Sequence, residues 1–337
     1  MNAKKNVVDP NAKASAEDGI FGLPYKEKNS KVVYLPVAWD VTTSYIAGTS
    51  KGPEAILQAS PQIDFFDLDF KDTYKAGLFM RNNDPWIKKN NISARKIAKK
   101  IIESDTLKNI NKVNQSSDQL NELLYKEVKA ILKKQQIAVI VGGDHSTPYG
   151  AIKAYAEKYP GMGILHIDAH SDTRNAYMGF THSHASIMYN VSEKIAGVKK
   201  IVQVGIRDFC EDEYTYTKKN KKFSVFFDLE ISARKINGEA FKKIADDIIK
   251  QLPEHVYISF DIDGLDPRFC PNTGTPVPGG FDYSEIVYLI VALAKSGKKI
   301  IGFDLVEVGP NEWDGNVGMR LLYKMTGACL HSLGIKI

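Results

Sequence analysis

The chain has 337 residues, 43% of them hydrophobic and 25% charged, and a formal net charge of +5. This is the composition of a globular protein long enough to bury a sizeable core without disulfides; Cys210, Cys270 and Cys329 form no C-x-x-C pair, which argues against a structural zinc site. The basic excess is scattered as lysine pairs at segment ends, such as Lys99-Lys100 and Lys298-Lys299, without interleaved aromatics, so a solvated surface is expected and a nucleic-acid partner is not.

In chain order, residues 1–30 are polar, lack periodicity and carry no apolar h-region, which predicts a loose extension without a secretory signal ahead of a single domain over 31–337. KVVYLPV (31–37) reads as a short buried strand and GPEAILQAS (52–60) as a helix opened by Pro53. DTLKNINKVNQSSD (105–118) reads as a polar loop, after which Leu120, Leu124, Val128 and Ile131 keep helical spacing. Strand-like runs then alternate with helices. IAVIV (137–141) runs into GGDHS, GILHI (163–167) into DAHSD, IVQVGI (201–206) into RD, HVYISF (255–260) into DID and IIGFDLV (300–306) into Glu307. Helices are expected over about 148–158, around Phe241, Ile244 and Ile248, over 285–295 and over 317–331. Strands apolar on both faces that alternate with helices predict a three-layer α/β/α fold with a mostly parallel, doubly wound sheet. The longest apolar run, residues 286–294, is too short for a bilayer, so no membrane partner and a cytoplasmic location are expected.

Each chemical motif follows the C-terminal end of a strand, the edge where open α/β sheets bind ligands. Five of the seven histidines (His145, His166, His170, His182 and His184) fall within this stretch of the chain. Asp144, Asp168, Asp172, Asp261 and Asp263 brought into one crevice would repel one another, at several kcal/mol, of order ~5, for each unpaired buried charge. Arg174 and Arg207, as local cations, are too few to offset them, so metal is the better answer. Four ligating aspartates balance two divalent ions, and a set of two histidines and four aspartates suits Mn²⁺ better than zinc or copper. Two such ions about 3.5–4 Å apart can share a water and lower its pKa toward neutrality. No G-x-S-x-G elbow, P-loop or G-x-G-x-x-G fingerprint is present.

GGDHS, DAHSD, SFDIDGLDP and VEVGP, in that order, together with WDVTTSYIAGTSKGPEAI and TGTPVPGG, resemble the ureohydrolases, the family of arginase and agmatinase. The resemblance covers about residues 31–335 and implies an arginase-like fold. It further implies that His145, Asp168, His170, Asp172, Asp261 and Asp263 hold two Mn²⁺ per subunit, with Asp168 and Asp261 shared between the ions. Asp144 would then orient a ligand histidine. The reaction implied is hydrolysis of a guanidino group to urea and an amine, with Glu307 gripping the guanidinium, His184 shuttling the proton to the leaving amine and Asp172 in the catalytic set. The family commonly forms trimers or hexamers, so a homo-oligomer is expected.

The stretch DTRNAYMGFTHSHASIM (172–188) resembles the microbial agmatinase branch, which makes agmatine, cleaved to putrescine and urea, the leading substrate. Formimidoylglutamate, guanidinobutyrate and arginine are the alternatives, because Arg174 could pair with a substrate carboxylate. A metal-free binding or scaffold protein is the alternative of another class. Asp208, with Glu211, Asp212 and Glu213, could receive a distal amine. His166 is expected to be a non-ligand, His182 an exposed neighbour of His184, and Arg174 and Arg207 are candidates for structural ion pairs.

Overall fold

The computed structural model describes residues 8–12, 14, 18–104 and 106–336. Its centre is one eight-stranded sheet in which every pairing is parallel. The strands are β1 (Val32–Val37), β2 (Leu78–Met80), β3 (Ile137–Gly142), β4 (Met162–Ile167), β5 (Val198–Ile206), β6 (Phe223–Phe227), β7 (His255–Asp261) and β8 (Lys299–Val306), in the order β2-β1-β3-β8-β7-β4-β5-β6. The chain therefore leaves a gap between β3 and β4 that its last two strands fill, and the sheet is wound both ways from that point.

The alternation of side chains along β1 divides the core in two. Val32 and Tyr34 pack with α1 (Gly52–Ala59), α8 (Phe241–Gln251), α9 (Tyr283–Lys295) and α10 (Glu312–Ser332). Val33, Leu35 and Val37 pack with α2 (Pro85–Ser104), α3 (Ile110–Lys133), α4 (Tyr149–Lys158) and α5 (Ile187–Lys194) on the opposite face. Two further helices, α6 (Glu211–Lys219) and α7 (Asp228–Ile236), flank the β6 edge. This is the three-layer arrangement that strands apolar on both faces require.

Three expectations change. The polar loop placed at 105–118 is helical from Ile110. Val113 and Ser117, both buried, continue the stripe of Leu120, Leu124 and Val128, but with a small polar residue in it. Beside that stripe α3 crosses α4 so closely that a Cβ on Gly150 would lie 2.2 Å from the Asn121 carbonyl oxygen. The loose N-terminal segment does not extend through residue 30: Ile20, Phe21 and Leu23 are fully buried, and Phe21 stacks edge-on against Tyr34 and Tyr323. Third, β2, α2, α5, α6, β6 and α7 had no counterpart in the sequence reading. No helix among the described residues is long and apolar enough to cross a membrane.

Candidate active site

Neighbouring strands β3, β8, β7, β4 and β5 end side by side, so Asp144-His145, Glu307, Asp261-Asp263, Asp168-His170-Asp172 and Arg207-Asp208 meet at one edge of the sheet. A close-packed glycine and two strained turns shape this edge. A Cβ on Gly143 would lie 1.8 Å from the Trp39 carbonyl oxygen, so only glycine lets the β3 tip lie against that backbone, where the Asp144 N–H donates to the same oxygen at 2.7 Å. Asp172 and Glu307 both sit in the left-handed region, at φ 54° and 59°. Such backbone costs on the order of 1–3 kcal/mol for an ordinary side chain and persists where surrounding structure enforces it.

His145 Nδ1 lies 2.9 Å from Asp168 Oδ2, 3.1 Å from Asp172 Oδ2 and 3.2 Å from Asp261 Oδ2, all deeply buried. Its other nitrogen, Nε2, faces Ser259 Oγ at 3.0 Å, and Ser259 donates its own hydrogen to Asp304 Oδ1 at 3.1 Å. Nε2 must therefore carry the proton, which leaves a lone pair on Nδ1 ringed by three carboxylate oxygens. That arrangement demands a positive charge. Burial opposes charging His145, yet the three aspartates outweigh it and push its pKa well above the ordinary value; a divalent cation answers the same demand. A second nest adjoins the first: His170 Nδ1 is 3.1 Å from Asp263 Oδ2 and 3.4 Å from Asp168 Oδ1. Asp168 thus belongs to both nests. The donors of each nest (imidazole and carboxylate) fit a pair of borderline-to-hard divalent ions.

His166 also approaches Asp168, with Nε2 at 2.8 Å from Oδ2. Gln203 Nε2 donates to the Ser171 carbonyl at 2.7 Å and to His166 Nδ1 at 3.0 Å. His166 Nδ1 is then an acceptor and Nε2 a donor, so His166 holds Asp168 in place and has no lone pair to offer a metal.

The carboxylates do not titrate alike. Burial and the Asp168 charge push Asp172 up to about 7, and burial with the charges of Asp263 and Asp168 pushes Asp261 well above the usual range. For Asp168 burial is outweighed by His166, His145 and His170, which hold it well below. Glu307 accepts the His145 N–H on Oε1 at 3.0 Å, while Oε2 is buried without a partner and burial pushes its pKa well up. Gly274 leaves that oxygen room: a Cβ there would approach Oε2 to 3.2 Å.

A cavity of roughly 140 Å³ opens from these groups to the surface past His184, Arg174, Tyr177 and Asp208. Burial, then the charges of His170, His145 and Arg95, push His184 down to about 3, so it is neutral at physiological pH. Its backbone N–H donates to Thr42 Oγ1 at 3.0 Å. Asp208 is 68% exposed at the rim, 3.8 Å from His170 Nε2. The Arg174 guanidinium lies 4.7 Å over the Tyr177 ring, with Nε 3.3 Å from Glu213 Oε2. Arg174 is therefore the structural ion pair anticipated as one of its two roles. Arg207 is not: it donates to the backbone carbonyls of Gly205, Asp263, Leu265 and Val277, clamping loops together. Of the acidic group 208–213, Glu213 is consumed by Arg174, the Thr173 N–H and the Cys210 N–H, and Glu211 and Asp212 face solvent. Asp144 makes no direct hydrogen bond to a ligand histidine ring; Thr42 Oγ1 stands between it and His184 Nδ1. Asp144 accepts from the Ser146 N–H and hydroxyl and from Thr42, fixing the turn after β3. His182, expected at the surface, is turned inward, with its side chain 10% exposed.

The sequence reading missed Ser259, Asp304 and Gln203. The available signal was a lone polar residue inside an otherwise apolar strand (SF in β7, FDL in β8, VQV in β5), which is costly unless it serves a neighbour.

Residues 30–327 match the model of the family described as "Arginase: Arginase family". An N(1)-aminopropylagmatine ureohydrolase of Thermus thermophilus is 31% identical over 323 residues, covering 94% of each chain. An agmatinase of Halalkalibacterium halodurans is 34% identical over 189 residues, 56% of this chain and 61% of the relative. The agmatine ureohydrolase of Thermoplasma volcanium superposes with a TM-score of 0.72 at 22% identity, over 93% of this chain and 94% of that one. With a family match over nearly the whole chain and a relative above 30% identity along almost all of it, the chain belongs to the arginase family of guanidino-group hydrolases.

Proposed function

We propose that this hydrolase acts on a small aliphatic guanidino amine, agmatine in the first instance, releasing urea and putrescine, with two Mn²⁺ held by His145, Asp168, His170, Asp172, Asp261 and Asp263. The observation that carries this reading is Glu307 Oε2, a buried carboxylate oxygen without a partner beside the aspartate cage. A guanidinium is permanently charged and planar, and its N–H groups match such an acceptor. Divalent ions in the cage would supply Lewis-acid chemistry, activating water as hydroxide near neutral pH. The chain's own groups do the rest. Glu307 holds the guanidinium and fixes its central carbon toward the cage, while Oε1 stays anchored on the His145 N–H. Collapse toward urea requires a proton on the leaving nitrogen. His184 is neutral, so it relays a proton rather than storing one.

The charge of the mouth favours a cationic tail. Arg174 is offset by Glu213, which leaves the Asp208 carboxylate as the uncompensated rim charge, suited to an ammonium. A carboxylate tail, as in formimidoylglutamate or guanidinobutyrate, would have to compete with Glu213 for Arg174. A longer tail is the second reading: a relative that aligns over 94% of each chain is named for N(1)-aminopropylagmatine. Turnover of agmatine, N(1)-aminopropylagmatine, arginine, guanidinobutyrate and formimidoylglutamate with added Mn²⁺, with products identified, tests the reading. Urea plus a diamine or polyamine supports it. Formamide release, or preference for an acidic substrate, overturns it.

A further inference from the structure

His182 is unused by the chemistry above, yet it lies two residues before His184 and points away from the cage. It enters a separate cavity of roughly 320 Å³ between α3, α4 and α5, large enough for a small metabolite. Two lysines and two carboxylates line it, and only the carboxylates have a side-chain partner of opposite or hydrogen-bonding character among the described residues. Lys153 of α4 and Lys194 of α5 line it, and among the described residues neither makes an ion pair; the Lys153 ammonium rests 4.6 Å over the Tyr125 ring. The two carboxylates at the rim are exposed and already engaged, Glu122 with Lys126 at 3.1 Å and Asp118 with His182 Nε2 at 3.3 Å.

Deeper, Asn121 lines the cavity. It is 7% exposed, and both its amide nitrogen and its amide oxygen lack any hydrogen-bond partner. A buried amide with nothing to bond costs about 1–3 kcal/mol, and in native proteins such a group calls for a reason. The His182 ring packs edge-on against Tyr149, centroids 4.9 Å apart. Burial, then the Lys194 charge, lower its pKa. An anion that neutralised Lys194 would remove that second effect and raise the His182 pKa, while burial continues to oppose the charged ring.

We propose that the cavity formed by Asn121, Lys153, His182 and Lys194 binds a small oxyanion, a phosphate or a polycarboxylate, behind the turn that carries His184. Binding is linked to the catalytic loop through three residues. His182 is followed by Ser183, whose hydroxyl accepts from the Ala185 N–H at 3.2 Å, and by His184, tied to Thr42. The proposal concerns a site apart from the cage and holds whichever guanidino compound is cleaved, so a binding measurement tests it without turnover.

Calorimetric titration of the metal-loaded full chain with inorganic phosphate, and separately with citrate, is the test. One of the two anions should bind, and Lys153→Gln or Lys194→Gln should each weaken it by about tenfold or more without changing the melting temperature, since Lys194 is exposed and Lys153 only partly buried. Asn121→Leu separates a ligand role from a packing defect: it should weaken anion binding, whereas a mere defect would give a more stable protein with unaltered affinity. The His182 imidazole resonances should shift toward the protonated form on adding the anion. Absence of anion binding, affinity unchanged in both lysine variants, or a cavity that instead takes putrescine and loses it in Asp118→Asn would each overturn the proposal.

Discussion

Three side chains at the site have distinct tasks that substitution can separate. Glu307→Gln keeps the bond to the His145 backbone N–H but removes the charge proposed to face the guanidinium. Metal content should be unchanged, while kcat/KM falls by a factor of about 10²–10³, the range for truncating one side of a buried charge-assisted pair. Unchanged kcat/KM would place the anchor elsewhere. Asp261→Asn removes a carboxylate from the ring around His145 Nδ1 and should abolish turnover and lower metal content on dialysis; wild-type turnover would remove Asp261 from the site. Asp172 supplies a pH dependence. Its folded pKa is raised to about 7, so a metal must displace its proton below that value. Affinity for Mn²⁺ should rise with pH through about 7, falling by about tenfold per pH unit on the acid side for each proton displaced. Isotherms at pH 5.5, 6.5 and 7.5 that coincide would contradict this. All these residues were visible in the sequence as acids and histidines after apolar runs. Their partners were not: nothing in GFDLV says that Asp304 faces Ser259, because that contact joins β8 to β7.

Single strands and turns decide whether the cage is held in shape. The relay His145–Ser259–Asp304 crosses three strands that are distant in sequence and adjacent in the sheet. Removing such an outer partner typically lowers metal affinity 10–100-fold, so Ser259→Ala should release Mn²⁺ more readily in a chelator competition while the fold melts as before. Retention equal to wild type would reduce Ser259 to a packing residue. Periodicity found β3, β4, β5, β7 and β8 because each is apolar on both faces. It failed for the first turns of α3, where Ser117 stands in the buried stripe, and for β6, whose edge position leaves it half-covered.

For the whole molecule, the cage links folding to metal. Ions that bind the folded chain alone stabilise it by about 2.7 kcal/mol at a hundredfold excess over Kd, so the melting temperature should climb with Mn²⁺ and fall back on chelation; an unmoved transition would argue against a metal centre. A trimer or hexamer is proposed by family resemblance, and light scattering would test it. The sequence by itself determined the fold class and the identity of the charged groups, since both follow from local patterns: apolar runs of strand length and polar groups at their ends. Only the tertiary structure decided the strand order, with β7 and β8 inserted between β3 and β4. It also decided which nitrogen of each histidine is free, that Arg174 is held by Glu213, and that His182 faces a different cavity from His184. These depend on contacts between residues far apart along the chain, where no local pattern carries the distance between them.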